Sequence, residues 1–196
     1  MKTVVLTTVA LALVAMAGGA AVVYAGLFNV AADDPHSPLV NDVLYTVRRR
    51  SIAAHAVGIA VPPEHDDTAA LAMATGHFAE HCALCHGAPG IAANEIAAGM
   101  YPKPPSLIEV SRRYTPAELF WIIRHGIKMS AMPAMGDDGD AMLWATVALL
   151  ERLPTMTPAA FKALQAAAPA GEAAGMDMNT MDTKAAGGTA AKPDAR

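Results

Sequence analysis

The sequence predicts an all-α protein: an apolar N-terminal helix followed by a small helical domain. Three observations predict it. No charged residue occurs from Thr3 to Phe28, apolar residues recur at helical spacing in several later segments, and no strand-like alternation of any length is present.

The run from Thr3 to Phe28 is long enough to span a hydrocarbon core of about 30 Å at about 1.5 Å per helical residue. Lys2 precedes it, and Asp33 and Asp34 follow it, which gives an N-in, C-out orientation. The arginines 48–50 lie near the limit of that rule's reach and weakly oppose it. A cleaved signal peptide is the alternative. Its apolar region would be shorter, but Val23-Tyr24-Ala25 offers small residues to a peptidase and Gly18-Gly19 weakens a long helix. Either way the rest of the chain is exported. The expected place is the inner (cytoplasmic) membrane, single-pass, with the domain in the periplasm. After cleavage it would be a soluble periplasmic protein.

Four segments are expected: 1–28 as anchor or signal, 29–66 as juxtamembrane linker with an amphipathic helix, 67–154 as the compact domain, and 155–196 as a disordered Ala-rich tail. In the second, Leu39, Val40, Val43, Leu44, Val47 and Ile52 recur at helical spacing, and the helix should end before Gly58. It could pack on the domain or lie on the membrane surface. In the third, Thr68 to Cys85 suits helix. Thr115-Pro116-Ala117-Glu118 is a capping box with Pro at the first helical position, and Gly126 is a plausible stop. Asp140 can cap a last helix that carries Leu143, Trp144, Val147, Leu149 and Leu150, before Pro154. The tail is rich in Ala, Gly, Pro and Thr, a composition that buries little.

The chain of 196 residues is 54% hydrophobic but only 5% aromatic, so Ala inflates its apolar count. A net charge of −4 argues against nucleic acid as a partner. Only two cysteines occur, and they fall in Cys82-Ala83-Leu84-Cys85-His86. On a helical turn, residues at i and i+3 share a face, so both thiols can reach the vinyl groups of one haem, with His86 as the proximal iron ligand. A thioredoxin-type pair would sit in a βαβ pattern, which is missing. A zinc site would want four ligands at paired spacings, and no second Cys pair exists. One haem c, covalently bound, is therefore expected on Cys82 and Cys85.

A second axial ligand is sought in the run 126–136, which holds Met129, Met132 and Met135. Met132 precedes Pro133, which disfavours helix there and holds the backbone extended. Met132 is the expected ligand, with Met129 and Met135 as rivals that could instead line the haem edge. The site residues are thus Cys82, Cys85, His86 and Met132, of which His86 and Met132 bind the metal.

These residues make the chain resemble class I c-type cytochromes, specifically the small membrane-anchored monohaem proteins of Proteobacteria. The resemblance covers about 70–154. It rests on the Cys82/Cys85/His86 motif, Phe78, the Tyr101-Pro102-Lys103-Pro104-Pro105-Ser106-Leu107 segment, Met132-Pro133-Ala134, and a final helix with Trp144 and Val147. It implies short helices wrapped round one haem, with the first crossing the last at Phe78. The family often has Tyr or Phe where this chain has Leu149, so the crossing should be less tightly filled. It also implies that the Pro104 carbonyl accepts from the His86 ring.

The function expected is one-electron transfer, with redox proteins as partners and membrane lipid met through the first helix. The chain is not expected to be an enzyme. A cytochrome subunit fixed in a membrane oxidoreductase is the alternative, and a five-coordinate haem that binds a small ligand is a third reading. The ligand loop argues against the third. His77 and His81 should face solvent. His125 should sit at a helix C-terminus or bond a haem propionate, and His36, His55 and His65 carry no evident role. Met176, Met178 and Met181 suit Cu(I) by softness, or belong to an ordinary tail.

Overall fold

The computed structural model describes residues 1–63 and 67–169. The chain divides into two units between Asp42 and Val43.

In the first unit, helix α1 (Lys2–Tyr24) is continuous through Gly18 and Gly19. It spans 23 residues with a mean hydropathy of 2.2 and buries none of them. Such a helix fits a retained anchor and a leader alike. Thr7 and Thr8 turn their hydroxyls back onto the carbonyls of Thr3 and Val4, which satisfies those two hydroxyls within the helix. After α1, Asn29 holds the linker by bonds with Asp34 and Ala31. Helix α2 (Pro38–His55) follows and continues into the second unit.

The helices of the second unit are α3 (Thr68–His81), α4 (Ala83–His86), α5 (Glu95–Ala98), α6 (Leu107–Val110), α7 (Pro116–His125), α8 (Asp140–Arg152) and α9 (Pro158–Ala166), joined by loops and short 3-10 turns. Several starts have a chemical cause. The Asp67 side chain accepts from the Ala70 N–H at α3, and the Thr115/Glu118 capping box forms at α7 with both of its bonds. At α8 the expectation fails in detail. Gly139 is the cap, Asp140 is the first helical residue, and its carboxylate pairs with Arg124 on α7. A first-turn carboxylate still favours the helix dipole.

The core joins α3 to α8 and α9, and α7 to α8. Phe78, Leu143, Val147 and Leu149 are fully buried there. Trp144 of α8 stacks on Phe120 of α7 with centroids 4.3 Å apart. One sequence expectation needs correction. The tail expected from residue 155 instead begins with α9, whose Phe161 belongs to the core. The Phe161 ring meets Phe78 edge-on at 6.1 Å, and Leu149 of α8 is itself fully buried. Burying a side chain of this size contributes about 1.5–3 kcal/mol. Gly76 allows the close approach, since a Cβ there would lie 2.9 Å from Ala168 Cβ. Met176, Met178, Met181 and His65 lie outside the described residues.

The C-terminal half of α2 packs on this unit. Ile52 and Ala56 are buried, the Arg49 guanidinium lies 4.3 Å from the Tyr114 ring centroid, and His55 packs against Trp121.

Candidate haem site

The site is built on the short turn that follows α3. The Cys82 N–H still bonds the Phe78 carbonyl, so α3 delivers the motif directly. Helix α4 then places Cys82, Cys85 and His86 within one turn, and both thiols are free. Gly87 ends it at φ +71, and a Cβ there would meet the Ile91 carbonyl at 2.9 Å. The chain therefore reverses at once into the Ala88–Ile91 bridge, and Asn94 N–H returns to the Leu84 carbonyl at 3.0 Å.

His86 Nδ1 lies 2.7 Å from the Pro105 carbonyl. A carbonyl only accepts, so Nδ1 carries the proton and Nε2 is left with its lone pair, as a metal-binding imidazole requires. The acceptor is Pro105, where resemblance had suggested Pro104. The two carbonyls are adjacent, and only coordinates separate them.

Burial, with the Asp138 carboxylate and the neighbouring Cys85 adding, pushes the Cys82 thiol up to about 12. A redox-active cysteine needs the opposite shift. A thiol held neutral in apolar packing suits conversion to a neutral thioether. Among the described residues there is also no group of three or more His, Cys, Asp or Glu that could hold a bare metal ion. Beside the motif opens a cavity of about 250 Å³, lined by Cys85, His86, Ile91, Lys103, Pro104 and Ile108 among others. The residues present therefore fit a covalently attached haem.

Met132 comes from the loop between α7 and α8. Its N–H bonds Ser130 Oγ at 3.2 Å, and its carbonyl accepts from Ile127 N–H at 3.2 Å. Gly126, at φ +63, lets the loop cross close above it, since a Cβ there would lie 2.6 Å from Pro133 backbone atoms. The three methionines are placed differently. Met129 is 92% exposed, Met135 packs against the core, and Met132 is half-buried in the pinned segment between them.

Of the histidines, His81 and His125 are exposed as expected, with His125 in the last turn of α7 against Trp121. His77 is not. It is buried, with Nε2 3.3 Å from Asp138 Oδ2. Nothing in its sequence neighbourhood signals this, because the acid is 61 positions away.

Fold and site together define a c-type cytochrome domain, a class that carries haem c covalently bound and transfers electrons. More particularly, residues 69–150 match the family described as cytochrome c oxidase, cbb3-type, subunit III. No curated protein and no solved structure matches the chain.

Proposed function

We propose that this chain is a one-electron carrier of a membrane electron-transfer chain, tethered by α1 with its haem domain in the periplasm. Cys82 and Cys85 would attach the haem, and His86 and Met132 would ligate its iron. The observation that carries the reading is the bond from His86 Nδ1 to the Pro105 carbonyl, because it leaves Nε2 as the nitrogen available to iron. The bound haem iron supplies the one-electron couple. The chain's residues hold it in one geometry. Met132, fixed through Ser130 and Ile127, closes the position where a small ligand would otherwise enter, which favours transfer over catalysis.

A second reading has a specific support. The matched family is described as an oxidase subunit, so the domain could be fixed in such a complex rather than move between partners. Isolation of the native protein from membranes in mild detergent separates the two. A monohaem protein recovered alone, with haem that survives denaturing electrophoresis and is lost in a Cys82→Ala, Cys85→Ala double variant, supports the carrier. Stoichiometric recovery with integral oxidase subunits supports the second reading. Haem staining that persists in the double variant contradicts both.

A further inference from the structure

Helix α2 has two opposite faces, and only one packs on other described residues. Successive helical positions turn by about 100°. Ile52, Ala56 and Arg49 fall on one side, where Ile52 is 1% exposed and Arg49 covers Tyr114. Val43, Leu44 and Val47 fall on the other, and they are 53%, 49% and 60% exposed. Leu39 and Val40 repeat the spacing one turn earlier in the same helix. A stripe this apolar, left in water, is costly, at about 25 cal/mol per Å² of apolar surface.

We propose that this outer face lies in the headgroup region of an anionic lipid bilayer, so that α2 sets the orientation of the haem domain on the membrane. Three observations favour lipid over protein as the occupant. The stripe is purely aliphatic and lacks the aromatic anchors that protein interfaces favour. The helix carries Arg48, Arg49 and Arg50 against Asp42 alone, and Arg50 is exposed at the edge of the stripe, as an interfacial helix facing lipid phosphates requires. Only residues 25–37 separate α2 from α1, a span of at most about 45 Å when fully extended, so a membrane-held α1 keeps α2 at high local concentration beside the bilayer. Because the inner face is joined to the domain, immersion of the outer face fixes which way the domain points. The inference rests on retention of α1 as an anchor.

The test uses the full-length holoprotein in nanodiscs of phosphatidylcholine with phosphatidylglycerol. Spin labels are placed through Val43→Cys, Val47→Cys, Asp42→Cys and Glu95→Cys, one at a time, with the haem reduced. Labels at 43 and 47 should be accessible to oxygen and protected from a water-soluble nickel chelate several-fold better than those at 42 and 95. That protection should weaken when phosphatidylglycerol is omitted. Co-elution with nanodiscs reports the tether separately. Co-elution with labels 43 and 47 open to nickel overturns the proposal while the tether stands. Failure to co-elute removes the tether and the proposal with it. Mutual broadening between labels would show a second copy on the face, and protection without oxygen access would show a protein partner. Either overturns the lipid assignment.

Discussion

His77 Nε2, on the helix that leads into Cys82, lies 3.3 Å from Oδ2 of Asp138, in the turn that closes the Met132 loop. The pair joins the two segments that carry the proposed haem ligands. Arg124 on α7 and Asp140 on α8 make a second tie, which joins the two ends of the same loop. The loop is therefore held to the helical frame at both ends, and the Met135 N–H bond to the Ile123 carbonyl fixes it between.

Loss of the His77 tie should loosen that loop. His77 is buried and Asp138 is partly exposed, so Asp138→Asn, which weakens the acceptor, should cost about 1 kcal/mol. His77→Ala also removes packing and should cost more. Denaturant midpoints of the oxidised holoprotein measure both. Equal midpoints for both variants and the parent would show that the loop does not depend on this contact.

Two glycines separate strain from crowding. Gly126 and Gly139 both have positive φ with extended ψ, a region nearly confined to glycine that costs other residues about 1–3 kcal/mol. A Cβ at Gly126 also collides with Pro133, whereas one at Gly139 meets nothing within 4 Å. Gly139→Ala should lower stability and keep the iron ligated by methionine. Gly126→Ala should displace Met132 as well, seen as CO binding by the reduced protein. CO binding in both variants, or in neither, would disconnect the Gly126 crossing from ligation.

Phe161 should matter as a core residue although it lies beyond α8. Phe161→Ala removes the edge contact with Phe78 and should destabilise the fold by about 3–5 kcal/mol. Thermal melts of the oxidised protein check this. A change below about 1 kcal/mol, at the scale of surface substitutions, would mean that α9 is not part of the cooperative unit.

The local chemistry of this chain was legible in its sequence. The capping box at Thr115, the stop at Gly126 and the Cys-x-x-Cys-His turn are each set by residues a few positions apart, and each forms. What failed was set by distant partners. His77 is buried against Asp138, 61 positions away, and Phe78 is met by Phe161 from beyond the expected end of the domain. One miss had a local signal. Thr157-Pro158 repeats the Thr115-Pro116 start of α7, and its Thr157 side chain accepts from Ala160 N–H at 3.1 Å, but Ala-rich composition around it masked a short helix.

The central claim is that Met132, together with His86, would ligate the haem iron. The most direct measurement is the weak far-red charge-transfer band of the oxidised protein, a mark of iron–methionine ligation by resemblance to the family, read alongside CO binding after reduction. The parent protein, Met129→Ala and Met135→Ala should keep the band and bind CO slowly or not at all. Met132→Ala should lose the band, bind CO rapidly and show a lower reduction potential. Rapid CO binding by the parent protein would contradict the account, because the sixth position would then be open and a ligand-binding haem would explain the chain better.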